Sequence, residues 1–342
     1  MRRARWGGLL AAAALVAAGC GGTGSGPAAE KEEGEGSANA EGPICVMPKL
    51  VGIPYFNASK QGAEEAAKEL GVELKYTGPT EGKAALQVEM IEQLTQQGCA
   101  AITVAANDPN ALAPAMKKAK EAGIATGAWD ADVAKDARDV FVNQATFEGI
   151  GQTLVDVMAK QTDEKGEFLV VTGSLTAPNQ NAWLKEMKAH MKAKYPGMSV
   201  ASVEPGEENL QKGLDLTKDY LRANPDTAGV FGITSVALPG AAEAVEQLKK
   251  AGDIPVTGLA VPSDMKQYVE RDTVKEFVLW NPVDLGYLAV HVANAQVKGE
   301  DPTAAEEFEA GRLGKVKVLA KDEVLLGPPL VFDKQNIGDY KF

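Results

Sequence analysis

Charged and amide side chains follow the β-rich runs of this sequence at the points where strands are predicted to end. Lys49 lies near the end of the first run, Asp130 and Asp132 directly follow another, and Asn179 and Gln180 begin a helical stretch. An ammonium group, carboxylates and carboxamides supply hydrogen-bond donors and acceptors suited to neighbouring hydroxyl groups. We therefore expect these side chains to bind a small polyhydroxylated molecule.

Aromatic side chains recur close to the same strand ends. These four residues are Tyr55, Phe56, Trp183 and Trp280. An aromatic ring beside hydrogen-bonding groups can cover the C–H face of a bound sugar ring.

Two further amides, Asn107 and Asn281, also follow predicted strands, and we include them in the predicted site.

Each of these residues also has a purely structural interpretation. Asp130 or Asp132 could cap the segment that follows or pair with Lys135, and Asn179 could be only a helix N-cap. The two tryptophans could belong to the core, and Lys49 could be a solvated surface residue.

Composition and motifs exclude several classes of protein. The chain has 35 Lys and Arg against 47 Asp and Glu, a formal charge of −12, which argues against a nucleic-acid partner. It has two histidines, three cysteines and no CxxC pair, so we predict no metal site and no cofactor. The sequence has no Gly-x-Ser-x-Gly elbow, and Asp130 and Asp132 are too close together to flank a glycosidic bond, so we predict a binding protein rather than an enzyme.

The N-terminal segment predicts export. Residues 1–20 combine an arginine-rich start, an apolar run and small residues before Cys20, as in a secretory signal. The segment from Leu15 to Cys20 resembles a bacterial lipobox, which implies lipidation of Cys20. Residues 21–43 are rich in Gly, Ala, Ser and Glu and predict a flexible tether. We expect a protein anchored by lipid to the outer face of the cell membrane, or a periplasmic one.

Two cysteines remain in this oxidising compartment. Cys45 opens the first predicted strand and Cys99 precedes another strand, and the two strands should be neighbours in the sheet. They could form a disulfide or remain two buried thiols.

From Ile44 onward, short β-rich runs alternate with amphipathic helical stretches. This alternation predicts an α/β fold of two doubly wound parallel-sheet lobes with the ligand cleft between them. We predict an N-terminal lobe of residues 44–147 and 281–302, and a C-terminal lobe of 148–280 and 303–342. The predicted hinge lies near Asn143-Gln144, Trp280-Asn281 and Gly299 to Thr303.

The strand-end segments resemble those of type I periplasmic solute-binding proteins of ABC importers, in the branch that binds rhamnose or autoinducer-2. The resemblance covers Ile44 to Phe342. The most specific segments are Pro48-Lys49-Leu50-Val51-Gly52, Trp129-Asp130-Ala131-Asp132, Val142-Asn143-Gln144-Ala145-Thr146 and Asn336-Ile337-Gly338-Asp339-Tyr340.

This resemblance implies a monomer that closes on a small sugar and delivers it to an ABC permease. It also implies that Lys49, Asp130, Gln180, Pro239 and Ala241 hold the ligand, the last two through their backbones. Where the autoinducer-2 receptors have aspartate, this chain has Asn179, and other segments are closer to rhamnose-binding proteins. We therefore favour a rhamnose-like monosaccharide, with autoinducer-2 uptake or sensing as the alternative.

Overall fold

The structure is a computed structural model and describes residues 42–320 and 322–342. The predicted signal peptide, the lipidation site Cys20 and the predicted tether up to residue 41 lie outside the described residues.

Strands and helices alternate along most of the chain, as the sequence predicts. The strands are β1 Ile44–Met47, β2 Leu74–Tyr76, β3 Ala101–Val104, β4 Ala125–Trp129, β5 Val140–Asn143, β6 Lys165–Thr172, β7 Gly197–Pro205, β8 Gly229–Gly232, β9 Val256–Gly258, β10 Phe277–Leu279, β11 Glu307–Glu309, β12 Lys315–Ala320, β13 Glu323–Leu325 and β14 Leu330–Phe332. The helices are α1 Pro54–Leu70, α2 Ala84–Gln96, α3 Pro109–Glu121, α4 Phe147–Ala159, α5 Pro178–Lys194, α6 Leu210–Ala223, α7 Ala237–Gln247, α8 Pro262–Glu270 and α9 Pro282–Val297.

The first sheet has eight strands in the order β11-β12-β13-β5-β4-β3-β1-β2. Its strands from β13 to β2 run parallel. The side chains of β1 show that both faces of the sheet are covered. Ile44 and Val46 point into one core, while Cys45 and Met47 point into a second core that contains residues of α2 and α3. A continuous apolar run is what a strand with two buried faces requires.

Helices α1 and α9 cross on the first of these faces at very short range. A Cβ atom on Gly62 would lie 1.7 Å from the carbonyl oxygen of Val283, and one on Gly286 would lie 1.9 Å from that of Ser59. Two glycines facing each other's helix therefore allow the backbones to meet, which fixes the start of α1 relative to the sheet.

The second sheet has four parallel strands in the order β7-β6-β8-β9. Helix α4 packs on α5 and α6 packs on α7, and these helices contact the strands of this sheet. A bridge between Leu259 and Val278 joins the end of β9 to β10, which pairs antiparallel with β14.

The C-terminal segment divides between the two sheets, which corrects the predicted boundaries. The sequence predicts residues 303–342 in the second lobe, but β13 pairs in parallel with β5, and β12 and β11 extend the first sheet from it. Only the part from β14 onward packs with the second sheet. The third crossing between the sheets is therefore 326–329, not Gly299 to Thr303, while the crossings at 144–146 and 280–281 lie where the sequence places them.

Cys45 and Cys99 are bonded in the structure, with their Cα atoms 6.0 Å apart. The bond ties the beginning of β1 to the turn before β3, at the amino ends of the strands.

In the part of the chain that the structure describes, no helix has both the length and the apolar character to cross a membrane. Within residues 42–320 and 322–342, no three or more His, Cys, Asp and Glu residues gather as they would around a metal ion.

Candidate binding site

A cavity lies between the carboxyl ends of the strands of the two sheets. It contains about 360 Å³ of space free of protein atoms, a figure that includes the open mouth, and only about 40 Å³ of it is accessible to the centre of a water-sized sphere. The residues that line it are Lys49, Ile53, Tyr55, Phe56, Asp130, Asn179, Gln180, Trp183, Glu208, Ile233, Thr234, Ser235, Leu259, Leu279 and Trp280.

Lys49 is buried, and its loop is held by amide side chains behind it. Asn107 donates from Nδ2 to the carbonyl oxygen of Lys49 at 2.9 Å and to Oε1 of Gln87 at 3.0 Å. Gln87 in turn donates to the carbonyl oxygen of Pro48 at 3.1 Å. With its backbone fixed in this way, Lys49 donates from Nζ to Oδ1 of Asn179 at 2.9 Å, across to the second sheet.

Asp130 directly follows β4 in the left-handed backbone region, with φ at 61°. Aspartate tolerates this conformation better than most residues, and it turns the side chain into the cavity. The Tyr55 hydroxyl donates to Oδ1 of Asp130 at 2.7 Å and accepts from Nε1 of Trp280 at 2.9 Å. This chain of hydrogen bonds joins residues that follow three different strands, β1, β4 and β10.

Burial dominates the ionisation of this cluster. It raises the pKa of Asp130 from 3.8 to about 6, even though the Lys49 charge and the Tyr55 hydrogen bond act in the opposite direction. Burial, followed by the Asp130 charge, also raises the pKa of Tyr55 well above its ordinary value. Tyr55 is therefore a neutral donor, and Asp130 is a desolvated acceptor that ionises at neutral pH.

The raised pKa of Asp130 predicts that asparagine at this position stabilises the fold at neutral pH. Below about pH 4 the carboxyl is protonated in both the folded and the unfolded protein, so it costs nothing. Between about pH 4 and about pH 6 the unfolded chain ionises while the folded protein retains the proton, so the cost grows over this range and levels off at about 3 kcal/mol above about pH 6. Asp130→Asn removes this cost, so the variant should gain stability relative to the native protein across that pH range.

Denaturant unfolding of both proteins between about pH 4 and about pH 7 measures the difference. Asparagine keeps the left-handed backbone and can still accept from Tyr55, so only the charge changes. Parallel stability curves would contradict the raised pKa.

Asn179 and Gln180 lie in the first turn of α5, where a helix leaves backbone N–H groups unpaired. Asn179 Oδ1 accepts from the backbone N–H of Gln180 at 2.9 Å as well as from Lys49. Gln180 Oε1 accepts from Thr172 Oγ1 at 2.7 Å and from the backbone N–H of Gly173 at 2.8 Å. These donors orient the Gln180 carboxamide, whose Nε2 donates to Glu208 at 2.8 Å.

Aromatic rings line one side of the cavity, as the sequence predicts. The ring centroids of Trp183 and Trp280 are 5.7 Å apart, and those of Tyr55 and Trp280 are 6.0 Å apart and nearly perpendicular. Phe56 packs edge-on against Trp129 behind the wall. The tryptophans are thus both core residues and cavity lining, so the two interpretations are compatible.

Of the thirteen residues predicted to bind ligand, eight line the cavity and five do not. Asp132 does not line the cavity and instead forms two hydrogen bonds with the buried Arg138, at 2.6 and 2.7 Å. Asn281 caps α9 by accepting from the backbone N–H of Val283. Asn107 supports Lys49 from behind.

Pro239 and Ala241, which the resemblance implied, are buried within helix α7. The residues directly after β8, from Ile233 to Ser235, line the cavity instead. Thr234 and Ser235 could have been predicted by the strand-end rule that identified Lys49. Glu208 follows β7 after a short turn, and nothing in the sequence distinguishes it from its neighbour Glu207.

Comparison with protein families matches residues 44–301 to the family described as periplasmic binding protein domain. The chain is 25% identical over 269 residues to the ribose import binding protein of Salmonella typhimurium, covering 77% of this chain and 88% of the relative.

Two solved structures resemble the whole described chain. An ABC transporter solute binding protein from Clostridium phytofermentas with bound L-rhamnose is 30% identical, with a TM-score of 0.83 over 87% of this chain and 98% of that one. LsrB from Clostridium saccharobutylicum in complex with AI-2 is 26% identical, with a TM-score of 0.84 over 88% of this chain and 100% of that one. These comparisons confirm the predicted fold class and the resemblance drawn from the strand-end segments.

Proposed function

This chain belongs to the periplasmic binding protein family, and from that premise we propose that it captures a small sugar between its two sheets and delivers it to an ABC importer. The relatives are binding components of import systems, and like them this protein is not an enzyme. One observation carries the proposal: Lys49 and Asp130 of the first sheet meet Asn179 and Gln180 of the second around a cavity walled by aromatic rings.

The composition of the cavity supports a sugar. Vicinal hydroxyl groups both donate and accept, and the cavity offers donors at Lys49 and Gln180 beside an acceptor at Asp130. The tryptophans offer apolar surface for the C–H face of the ring. A wrong stereoisomer would leave a buried group unpaired at a cost of about 1 to 3 kcal/mol, which supplies selectivity.

Closure of two lobes follows from how the contacts are distributed. The hydrogen bond from Lys49 to Asn179 connects the two sheets. Near the same edge, the Thr176 hydroxyl donates to the carbonyl oxygen of Asn107 at 3.2 Å. Within residues 42–320 and 322–342, the three crossings at 144–146, 280–281 and 326–329 connect the sheets covalently. We propose that the lobes rotate about these segments and that ligand stabilises the closed form.

Export and anchoring complete the proposal. The arginine-rich start and the apolar run direct the chain out of the cytoplasm, and Cys20 takes the lipid. Residues 21–43 then tether a monomeric binding protein above the membrane that holds the permease. Mass spectrometry of the N-terminal peptide from cell membranes would detect the acyl chains on Cys20.

A rhamnose-like monosaccharide is our first candidate, because the relative with bound L-rhamnose has the higher identity of the two structures. AI-2 is the second candidate, supported by the equally close fold of the AI-2 complex and by Lys49, Asp130 and Gln180. Asn179 favours the sugar, since an amide replaces the charged acceptor implied for autoinducer-2 receptors.

Thermal unfolding against a panel of ligands tests the proposal. The protein without residues 1–41 is unfolded, washed free of small molecules and refolded, and is then heated with L-rhamnose, D-ribose, other monosaccharides or autoinducer-2. Ligand at 100 times its dissociation constant should stabilise the fold by about 2.7 kcal/mol, a shift of several degrees. A shift with one sugar supports sugar transport, and a shift with autoinducer-2 alone supports the second candidate. If no compound in the panel shifts the transition, the proposed ligand class is wrong.

A further inference from the structure

Glu208 occupies the mouth of the cavity, and no strand-end prediction included it. It lines both the cavity and an outer groove formed by the turn 206–209, the start of α6 and the loop 80–83 of the first sheet. Its side chain therefore lies at the boundary between the ligand cavity and this groove.

The turn that carries Glu208 is rigidly tied to the second sheet. The backbone N–H of Gly206 donates to Thr172 O, and that of Glu207 donates to Gly173 O, both at 2.7 Å. Glu207 and Glu208 have φ angles of 54° and 51°, a region that non-glycine residues rarely occupy. Such conformations persist where the surrounding structure enforces them, often at ligand sites.

The carboxylate of Glu208 fits closely between residues of the two sheets. A Cβ atom on Gly173 would lie 2.2 Å from Oε1 of Glu208, so only glycine leaves room for the carboxylate there. On the opposite side, a Cβ atom on Gly82 would lie 3.4 Å from Cγ of Glu208. The hydrogen bond from Gln180 then fixes the carboxylate in place.

The charges around the cavity are unbalanced toward the negative. Among the described residues that line it, Asp130 and Glu208 are acids, Lys49 is the one base, and there is no arginine. The groove outside is lined by five carboxylates and two lysines, and Lys83 and Lys212 pair with Glu81 and Glu207. In the part of the chain that the structure describes, neither lysine of the groove is thus paired with Glu208 itself.

We propose that the ligand is an uncharged polyol and that Glu208 is a specificity-determining residue that rejects sugar acids and sugar phosphates at the mouth of the cavity. This inference rests on the proposed function. A carboxylate or phosphate would meet Glu208 and Asp130 without the arginine fork that usually binds such groups. Like charges brought together in a desolvated site disfavour the wrong partner strongly.

Glu208→Gln tests the inference, because glutamine keeps the size of the side chain and an oxygen that accepts from Gln180. Glu207→Gln is the matched control. It removes the same charge at the neighbouring position, where the side chain lines the groove but not the cavity. Calorimetry measures the dissociation constants of L-rhamnose and D-ribose and of their anionic counterparts, L-rhamnonate and D-ribose 5-phosphate. Discrimination is the dissociation constant of the anion divided by that of its neutral sugar. Relative to the native protein, this ratio should fall about tenfold in Glu208→Gln and stay within about twofold in Glu207→Gln.

A second variant, Gly173→Ala, displaces the carboxylate without removing its charge from the protein. It should reproduce the loss of discrimination, because its methyl group would occupy the place of Oε1. The inference is overturned if the native protein binds the anions as well as the sugars, if Glu208→Gln still excludes saturating anion, or if both glutamine variants change the ratio equally. Failure of the native protein to bind any neutral sugar would instead refute the proposed function.

Discussion

Asp130→Asn should weaken binding of the sugar identified in the ligand panel about 10- to 100-fold. A hydrogen bond to a charged acceptor contributes about 1.5 to 3 kcal/mol, and the variant replaces the carboxylate by a neutral carboxamide. Tyr55 and Trp280 keep their positions, because asparagine still accepts from the Tyr55 hydroxyl and tolerates the left-handed backbone. Isothermal titration at neutral pH gives the two dissociation constants.

Asp132→Asn is the matched control for this experiment. It changes the same functional group two residues along the chain, but Asp132 faces Arg138 and does not line the cavity. Its affinity for the sugar should equal that of the native protein. Equal losses in both variants would mean that Asp130 acts through the fold and not through contact with ligand.

Arg138→Met should destabilise the protein by about 3 to 5 kcal/mol and leave sugar affinity unchanged. The Arg138 side chain is 1% exposed and donates to Asp132 and, at 2.9 Å, to Asp322. Methionine fills part of the space but leaves two carboxylates without their shared cation. Because Asp322 precedes β13, the variant should also loosen β13 from β5.

Lys135→Met provides the comparison, since Lys135 also pairs with Asp322, at 3.3 Å, but is 73% exposed. An exposed pair contributes about 0 to 1 kcal/mol, so this variant should unfold almost as the native protein does. Urea unfolding followed by circular dichroism measures both losses. A loss of less than about 1 kcal/mol in Arg138→Met would show that water replaces the buried cation.

The part of the site that could be predicted from sequence is the part set by strand ends. A parallel sheet places every carboxyl end at one edge, so Lys49 and Asp130 of the first sheet could be brought together without knowing any distance. Trp280 follows β10, outside that sheet, and its position opposite them follows from the expectation that two lobes face each other across a cleft. Asn179 and Gln180 followed from the same reasoning applied to the start of a helix.

The errors at Asp132 and Glu208 have a different origin, because they concern which of two nearby acidic residues faces the cavity. Asp130 and Asp132 both follow β4, and the left-handed turn at Asp130 decides their directions. The buried side chain of Arg138 then donates hydrogen bonds to Asp132. A single sequence does not encode such a partnership in any local pattern. The same limit applies to Glu208, whose neighbour Glu207 has the same side chain and a similar backbone conformation.

The placement of β13 has a consequence for how the chain folds during export. β5 is an internal strand of the first sheet, yet its neighbour on one side comes from the far end of the chain, as the hydrogen bond between Asn143 and Glu323 across 180 residues shows. Until those residues have been translocated, the outer edge of β5 presents unpaired backbone groups, which invite pairing with other chains. Contacts of such long sequence separation also form slowly. The first sheet therefore remains incomplete until residues 323–325 have emerged, and premature termination before residue 323 would leave β5 with an open edge.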